Sequence, residues 1–324
     1  MELLLLALLC LHILKTEAQV GHWCYQSQKC ELPQCEGPAQ WHHSYKDCKG
    51  NRQSPVNIVT RNVVYEKSLQ PLSFEGYDEQ GSAPWDLQNN GHTGKYCPAC
   101  SWVVKVALGT SPKIGGGGLE RKYKAVEFHF HWGVLTEQQI LSPGSEHSID
   151  GEKYPMEFHI VHIREDASDV TEAKKTPDGL AVLAFFVEAG KENKNYETLL
   201  SELKNIEFKG ASAKVDPLPL SSLLPPEEHL GRYYRYQGSL TTPDCYQGVI
   251  WTIFETPVQL SLSQLSQFAA LRFDGKNSTP MMENFRPAQP LKGRRVLWSG
   301  ASLALPTAQL LLLALALTCT LSSL

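Results

Sequence analysis

The 324-residue sequence predicts a β-dominated α+β fold, a single domain with short peripheral helices. Three observations lead there: β-branched and aromatic runs recur, turn-forming residues separate them, and helical patterns are few and short. In chain order the strand candidates are Val56–Val64, Trp102–Leu108, Tyr123–Trp132, Met156–Ile163, Leu180–Val187, Tyr233–Tyr236, Val249–Phe254 and Arg295–Trp298. Turns fall at Gly115–Gly118, Ser142-Pro143-Gly144, Asp150-Gly151 and Pro177-Asp178-Gly179, where glycine and proline punctuate the chain. The helix candidates are Tyr196–Ile206, the segment around Ser221–Leu224, and Ser261–Leu271, with Ser263 as its expected cap. A floor of strands gives side chains rigid positions from which to project.

The ends of the chain read as processing signals. Residues 1–18 carry an apolar run, Leu3 to Leu14, closed by Ala18, which is the length of a signal-peptide core and too short to span a bilayer. A second apolar run, Leu310 to Leu321, follows Ser299-Gly300-Ala301 and a spacer containing Pro306. That order reads as replacement by a glycosylphosphatidylinositol (GPI) anchor, with Ser299 as the attachment residue, Gly300 second, and residues 300–324 removed. Residues 19–299 remain as one domain on the extracellular face of the plasma membrane, held at its outer leaflet. The formal net charge of −4 with dispersed basic residues argues against a nucleic-acid partner.

Of nine cysteines, Cys10 and Cys319 fall in the removed segments, which leaves an odd number for an oxidising compartment. Cys97-Pro98-Ala99-Cys100 has no second pair at matching spacing and reads as structural or incidental. Asn277-Ser278-Thr279 is the one N-x-S/T sequon and suits a glycosylated surface loop.

The chemistry is concentrated in Glu127-Phe128-His129-Phe130-His131-Trp132 and Glu157-Phe158-His159. On a strand, residues i and i+2 share a face, so His129 and His131 project together and His159 joins them from a neighbouring strand. Three imidazoles with no fourth protein ligand describe a catalytic zinc site with one position open to water. Such a ligand set leaves the ion's charge unneutralised and lowers the pKa of bound water to about 7. No H-E-x-x-H helix occurs, which argues against the common zinc proteases.

Around these residues stand Gln53-Ser54-Pro55-Val56-Asn57-Ile58, Asn89-Asn90-Gly91-His92, Phe128-His129-Phe130-His131-Trp132-Gly133, Gly144-Ser145-Glu146-His147-Ser148, Glu157-Phe158-His159-Ile160-Val161-His162, Gly238-Ser239-Leu240-Thr241-Thr242-Pro243 and Asn284-Phe285-Arg286-Pro287. In kind and order these motifs resemble the α-class carbonic anhydrases over nearly the whole mature chain. Trp23-Cys24-Tyr25, Cys48, Cys245 and the Ser-Gly-Ala tail look like its glycolipid-anchored subgroup, types four and fifteen. The resemblance implies a large central, mostly antiparallel twisted sheet. It implies Zn²⁺ on His129, His131 and His159, CO₂ and bicarbonate as substrate and product, and inhibition by sulfonamides. It assigns the orienting hydroxyl to Thr241 with Glu146 as its acceptor, bicarbonate seating to Thr242, and the apolar CO₂ wall to Val161, Val182, Leu240 and Trp251, with Val249 nearby. His92 becomes the proton shuttle, helped by Asn90 and Tyr25, and its ordinary pKa near 6.5 suits that task. Glu157 and the carbonyl of Asn284 would fix His159 and His131, while His147 and His162 stay outside the metal set. The pairs Cys24–Cys35 and Cys48–Cys245 follow from the same resemblance.

Two departures stand out. Glu127 replaces the glutamine that many members place beside the first ligand, and a carboxylate there makes His129 a stronger donor. Gly94 to Ser101 intervene directly after His92, where the family runs into a strand, and their cysteines could pair together or one with Cys30. A non-catalytic cell-surface module on the same fold is the competing reading, which loss of a zinc histidine would favour; all are present.

Overall fold

A computed structural model describes residues 23–30, 35–91, 104–108, 112–134 and 141–300. Its strands are β1 (Asn57–Ile58), β2 (Val64–Tyr65), β3 (Leu72–Glu75), β4 (Trp85–Asn89), β5 (Val104–Ala107), β6 (Lys113–Gly116) and β7 (Tyr123–Trp132). They continue with β8 (Ser148–Ile149), β9 (Met156–Arg164), β10 (Leu180–Ala189), β11 (Ser212–Val215), β12 (Tyr233–Gly238), β13 (Val249–Leu260) and β14 (Leu297–Trp298). The main sheet runs β11-β4-β5-β7-β9-β10-β13-β12-β14-β2, with β6 pairing β7 and β3 pairing β6. Within it β10–β13 and β14–β2 are parallel and the other pairings antiparallel, so the sheet is mostly antiparallel as expected. β1 and β8 form a separate parallel pair.

The sheet has two differently used faces. Phe128, Phe130, Phe158, Ile160, Leu183, Phe185 and Phe254 point to one side and form the larger core, roofed by short helical segments through Tyr196, Leu199, Leu203 and Phe268. Val161, Val182, Ala184, Trp251 and Ile253 point to the other side, with the histidines. A bulge in β7 decides which residues go where: Ala125 pairs with His162 but Glu127 pairs with Val161. Val126 is the extra residue, so Tyr123 and Ala125 before it share a face with Phe128 and Phe130 after it. Without that bulge the strand's first half would carry bulky residues onto the histidine face.

Several expected elements are shorter than the sequence suggests. Val56–Val64 splits into β1, a 3₁₀ turn at Thr60–Asn62 and β2, because the Asp150 carboxylate accepts from both the N–H and the hydroxyl of Thr60 and bends the chain there. Tyr196–Ile206 is a 3₁₀ turn at Lys194–Tyr196, one α-turn at Glu197–Leu200 and a second 3₁₀ turn at Leu203–Ile206. Ser221–Leu224 is a 3₁₀ turn at Leu220–Leu223, and Ser261–Leu271 holds an α-helix only over Leu262–Ser266. Its cap is Ser261 rather than Ser263: the Ser261 hydroxyl accepts from the Gln264 N–H while the Gln264 carboxamide accepts from the Ser261 N–H. β3, β4, β6 and β11 are strands that local patterning missed, since each is short and forms only against its neighbours.

Disulfides join Cys24 to Cys35 and Cys48 to Cys245. The second spans 197 positions and ties the N-terminal segment to the loop that follows Thr241 and Thr242. Cys97, Cys100 and the insertion around them lie outside the described residues. Among the described residues no helix is long and apolar enough to cross a membrane.

His162 shows how a buried polar side chain is fixed in this core. Its Nδ1–H faces the carbonyls of Ile160 and Ala181, so Nε2 accepts from the Tyr77 hydroxyl at 2.5 Å and the ring is neutral. Burial, only partly offset by those carbonyls, pushes its pKa down to about 3. The unfolded chain therefore takes up a proton that the folded chain refuses, and stability falls as pH drops from about 6.5 toward about 3. This one group contributes a slope of about 1.4 kcal/mol per pH unit across that window. Urea unfolding of His162→Gln at stepped pH should show a slope shallower by about one proton, and an unchanged slope refutes the assignment.

Candidate metal centre

Residues i and i+2 on β7 and their partner on β9 build the centre. His129 lies directly opposite His159 across the β7–β9 pair, and His131 lies opposite Glu157. All three imidazoles are buried, and their centroids are 4.8–5.2 Å apart. His129, His131 and His159 offer nitrogens that all lie within 4.8 Å of one another.

The outer partner of each ring fixes which nitrogen is free. His131 Nδ1 donates to the Asn284 carbonyl at 2.8 Å, which leaves the Nε2 lone pair facing inward. His159 Nε2 donates to Glu157 Oε1 at 2.6 Å, which leaves Nδ1 inward, and His129 Nδ1 faces Glu127 Oε2 at 3.2 Å, which leaves Nε2 inward. Burial takes His159 down to about 4 against the opposing pull of Glu157, so that ring is neutral, as a ligand must be. Three lone pairs thus converge, and two of them, His159 Nδ1 and His129 Nε2, stand 3.3 Å apart. Two imidazoles on one tetrahedral ion at metal–nitrogen distances of about 2.0–2.1 Å place their nitrogens about 3.3 Å apart. His131 Nε2 and Glu146 Oε2 are both buried without a hydrogen-bond partner and lie 3.4 Å from each other. The donor set, the spacing and the orphaned atoms fit a divalent ion.

His147, Glu157 and His159 form a second tight group, but its atoms are already used. Glu157 Oε1 accepts from His159 and from His147 Nδ1 at 2.7 Å, its Oε2 accepts from the His147 N–H, and His147 Nε2 meets the Tyr236 hydroxyl at 2.7 Å. Tyr236 continues to the Ser54 hydroxyl, which also accepts from the Ser239 N–H. Burial pushes the Glu157 carboxyl up, but the combined pull of His147 and His159 outweighs it and holds its pKa well below the carboxylate range. This group is a strut that aims His159.

Beside His159 the face turns apolar in register. Val161 pairs with Val182, and Val182 pairs with Trp251, so the three form a row across β9, β10 and β13. The Trp251 ring centroid lies 4.9 Å from that of His159. Trp251 Nε1 donates to the Ser239 carbonyl and Leu240 N–H to the Tyr246 carbonyl, which lays the Ser239–Thr242 loop over this row. Leu240, Thr241 and Thr242 are buried, as is Val249, and the Thr242 hydroxyl has no hydrogen-bond partner among the described residues.

Glu146 Oε1 accepts from the Arg286 N–H at 2.8 Å. Gly144, two residues earlier, lets this loop pack against the end of β7: a Cβ there would fall 1.7 Å from the Gly133 nitrogen. Arg286 received no role from the sequence, yet its buried guanidinium donates to Gln53 Oε1 and to the carbonyls of Ser54 and Cys48. No local pattern marks it, since its partners lie 232 to 238 positions away in the chain. Tyr236 is a second residue missed, since nothing in its strand distinguishes it from a core tyrosine.

The shuttle candidate His92 lies outside the described residues. The turn leading to it is set by Asn89, whose carboxamide donates to the carbonyls of Ile206, Glu207 and Arg272 and accepts from the Gly91 N–H. Gly91 has φ +34°, and a Cβ there would lie 2.4 Å from the Phe273 carbonyl oxygen. Asn90 Oδ1 and the Tyr25 hydroxyl are buried and unpartnered among the described residues. Burial and then the charge of Glu146 raise the Tyr25 pKa well above its ordinary value, so Tyr25 stays protonated beside the centre. Asn277 is exposed in a turn, and Ser299 is buried, with its hydroxyl donating to the Gly231 carbonyl.

A single change tests the strut. Glu157→Gln removes the shared carboxylate acceptor, so affinity for a divalent ion measured by chelator competition should fall by about 10–100-fold. Unchanged affinity in a folded variant contradicts the role given to Glu157.

A family model described as eukaryotic-type carbonic anhydrase matches residues 36–300. Carbonic anhydrase 4 of Rattus norvegicus is 39% identical over 99% of this chain and 98% of its own length. Carbonic anhydrase 15 of Mus musculus is 40% identical over 88% of this chain and 86% of its own length. Carbonic anhydrase 7 of Homo sapiens is 37% identical over 81% of this chain and 94% of its own length.

Proposed function

We propose that this chain, which belongs to the eukaryotic-type carbonic anhydrase family, hydrates CO₂ reversibly with Zn²⁺ held by His129, His131 and His159 at the extracellular membrane surface. The observation that carries the zinc reading is the convergence of three lone pairs, each imidazole turned by a fixed acceptor on its other nitrogen. When bound, Zn²⁺ supplies the Lewis acid that makes hydroxide available from water near neutral pH.

The chain's own residues do the rest. Val161, Val182, Leu240 and Trp251 exclude water beside the imidazoles and leave an apolar seat for CO₂. Glu146 Oε2 is an open acceptor, suited to the Thr241 hydroxyl, to which this reading gives the orienting of the nucleophile. The Thr242 hydroxyl is an open polar atom for a bicarbonate oxygen. Asn90 Oδ1 and the Tyr25 hydroxyl offer buried polar atoms for a water chain, and His92 carries the proton away in the shuttle role.

The extracellular setting rests on the signal sequence of residues 1–18, the disulfides, and the anchor signal beginning at Ser299, with residues 300–324 removed. Anchoring goes through the Ser299 carbonyl, which leaves its hydroxyl bond to Gly231 intact. Asn277 is the glycosylation residue on this reading. Release of the protein from intact cells by a phosphatidylinositol-specific phospholipase tests the anchor, and retention after treatment argues against it.

Stopped-flow CO₂ hydration by residues 19–299, with metal analysis, tests the activity. One zinc per chain and turnover abolished in His129→Ala are expected, whereas stoichiometric zinc without hydration overturns the proposal and favours a binding module. Glu127 adds a prediction particular to this chain. Its carboxylate strengthens His129 as a donor to the ion, so Glu127→Gln should weaken zinc binding by about tenfold and move the midpoint of the activity profile to lower pH. Identical affinities and profiles in the two proteins exclude that role.

A further inference from the structure

The face of the sheet opposite the imidazoles holds a second concentration of charge. On β12 and β13, Tyr236 and Trp251 pair on the histidine side, so Arg235 and its partner Thr252 point the other way. Arg235 is only 6% exposed. Its Nε donates to the Thr252 hydroxyl at 3.0 Å, its Nη1 donates to the Gly117 carbonyl at 2.9 Å, and its guanidinium lies 5.4 Å from the Tyr233 ring. Nη2 has no hydrogen-bond partner, and no carboxylate among the described residues pairs with the group. Withdrawing a cation from water without a carboxylate partner is costly, and a bound anion would offset that cost.

Arg235 lines a cavity of about 790 Å³, within the range of small-molecule sites. Arg121, Arg164, Arg294 and Arg295 line it as well. Of these, Arg164 is paired with Asp166, while Arg294 is engaged with carbonyls of Leu291, Gln237 and Gln53. Arg121 and Arg295 are exposed and form no ion pair among the described residues. Against these five guanidinium groups the wall sets three carboxylates, Glu66, Glu120 and Asp178. The excess is positive although the whole chain is formally −4. Leu69, Ile250 and Leu297 give the cavity an apolar floor beside the charges.

We propose that this cavity is a second ligand site, separate from the metal centre, which takes a small organic anion with its phosphate or carboxylate group held by Arg235. A guanidinium N–H gives such a group a charge-assisted hydrogen bond, and Arg121 and Arg295 at the rim add attraction for further negative charge. The apolar floor accepts the ligand's body.

The test uses the zinc-loaded protein with a sulfonamide saturating the metal centre, so that anions cannot report from there. Calorimetric titrations with inorganic phosphate and with citrate, at constant ionic strength, should each be examined for saturable binding near one per chain. Tighter phosphate binding identifies a phosphate-bearing ligand, and tighter citrate binding a carboxylate-bearing one. Arg235→Gln should weaken the better anion by about tenfold or more, as loss of a charge-assisted pair predicts. The rim variant Arg121→Ala/Arg295→Ala, which leaves the buried packing untouched, should weaken it severalfold while leaving CO₂ hydration unchanged. Absence of saturable binding for both anions, or affinity unaltered in the rim variant and in a folded Arg235→Gln protein, overturns the proposal.

Discussion

The antiparallel pairing of β7 with β9 is the constraint on which the rest of this molecule depends. It sets His129 opposite His159, and strand alternation then carries Glu127 and His131 on one side and Glu157 and Val161 on the other onto the same face. A slip of one residue would send every one of these side chains into the phenylalanine core. The register is held from both faces. Phe128, Phe130 and Phe158 interlock behind the histidines, while the bulge at Val126 absorbs the one residue that would otherwise put the strand out of phase.

A correct register alone leaves imidazoles free to rotate and change tautomer. Each ring here is locked by a group that belongs to a different part of the chain or to its own strand: Asn284 for His131, Glu127 for His129, Glu157 for His159. Glu157 is itself held by His147, which leans on Tyr236, Ser54 and Ser239, and Ser239 is held by Trp251. Metal aim and the apolar wall are therefore parts of one hydrogen-bonded structure. The Cys48–Cys245 disulfide and Arg286 tie the N-terminal segment into the same structure from the far side.

The long strands and the histidine set were legible in the sequence because both follow from period-two alternation, which is local. Glu157 and Asn284 were reached only through resemblance to a family, since nothing in a single sequence says that a carbonyl 153 positions away will meet His131. Arg286 and Tyr236 were missed for the same reason, as their roles exist only once distant segments meet. Short strands such as Leu72–Glu75 and Ser212–Val215 take their form from a neighbour's open edge rather than from their own residues. The capping serine was placed two residues late because hydroxyls at Ser261 and Ser263 look alike until the backbone of Ser261 is seen to be extended.

The formal charges buried at the centre balance when a divalent ion is counted with them. Glu127, Glu146 and Glu157 give three formal negative charges in a site with almost no exposure, and the buried Arg286 guanidinium, which feels Glu146 through space, returns one. A divalent cation brings that sum to zero. A glutamine at position 127 would leave the same site with one net positive charge, so the carboxylate changes the electrostatics of the whole centre as well as one hydrogen bond. Withdrawing two uncompensated negative charges from water is costly. Metal binding and the stability of β7 and β9 are coupled by this balance, with Glu127 as the residue that makes the coupling stronger here than charge-neutral ligand support would.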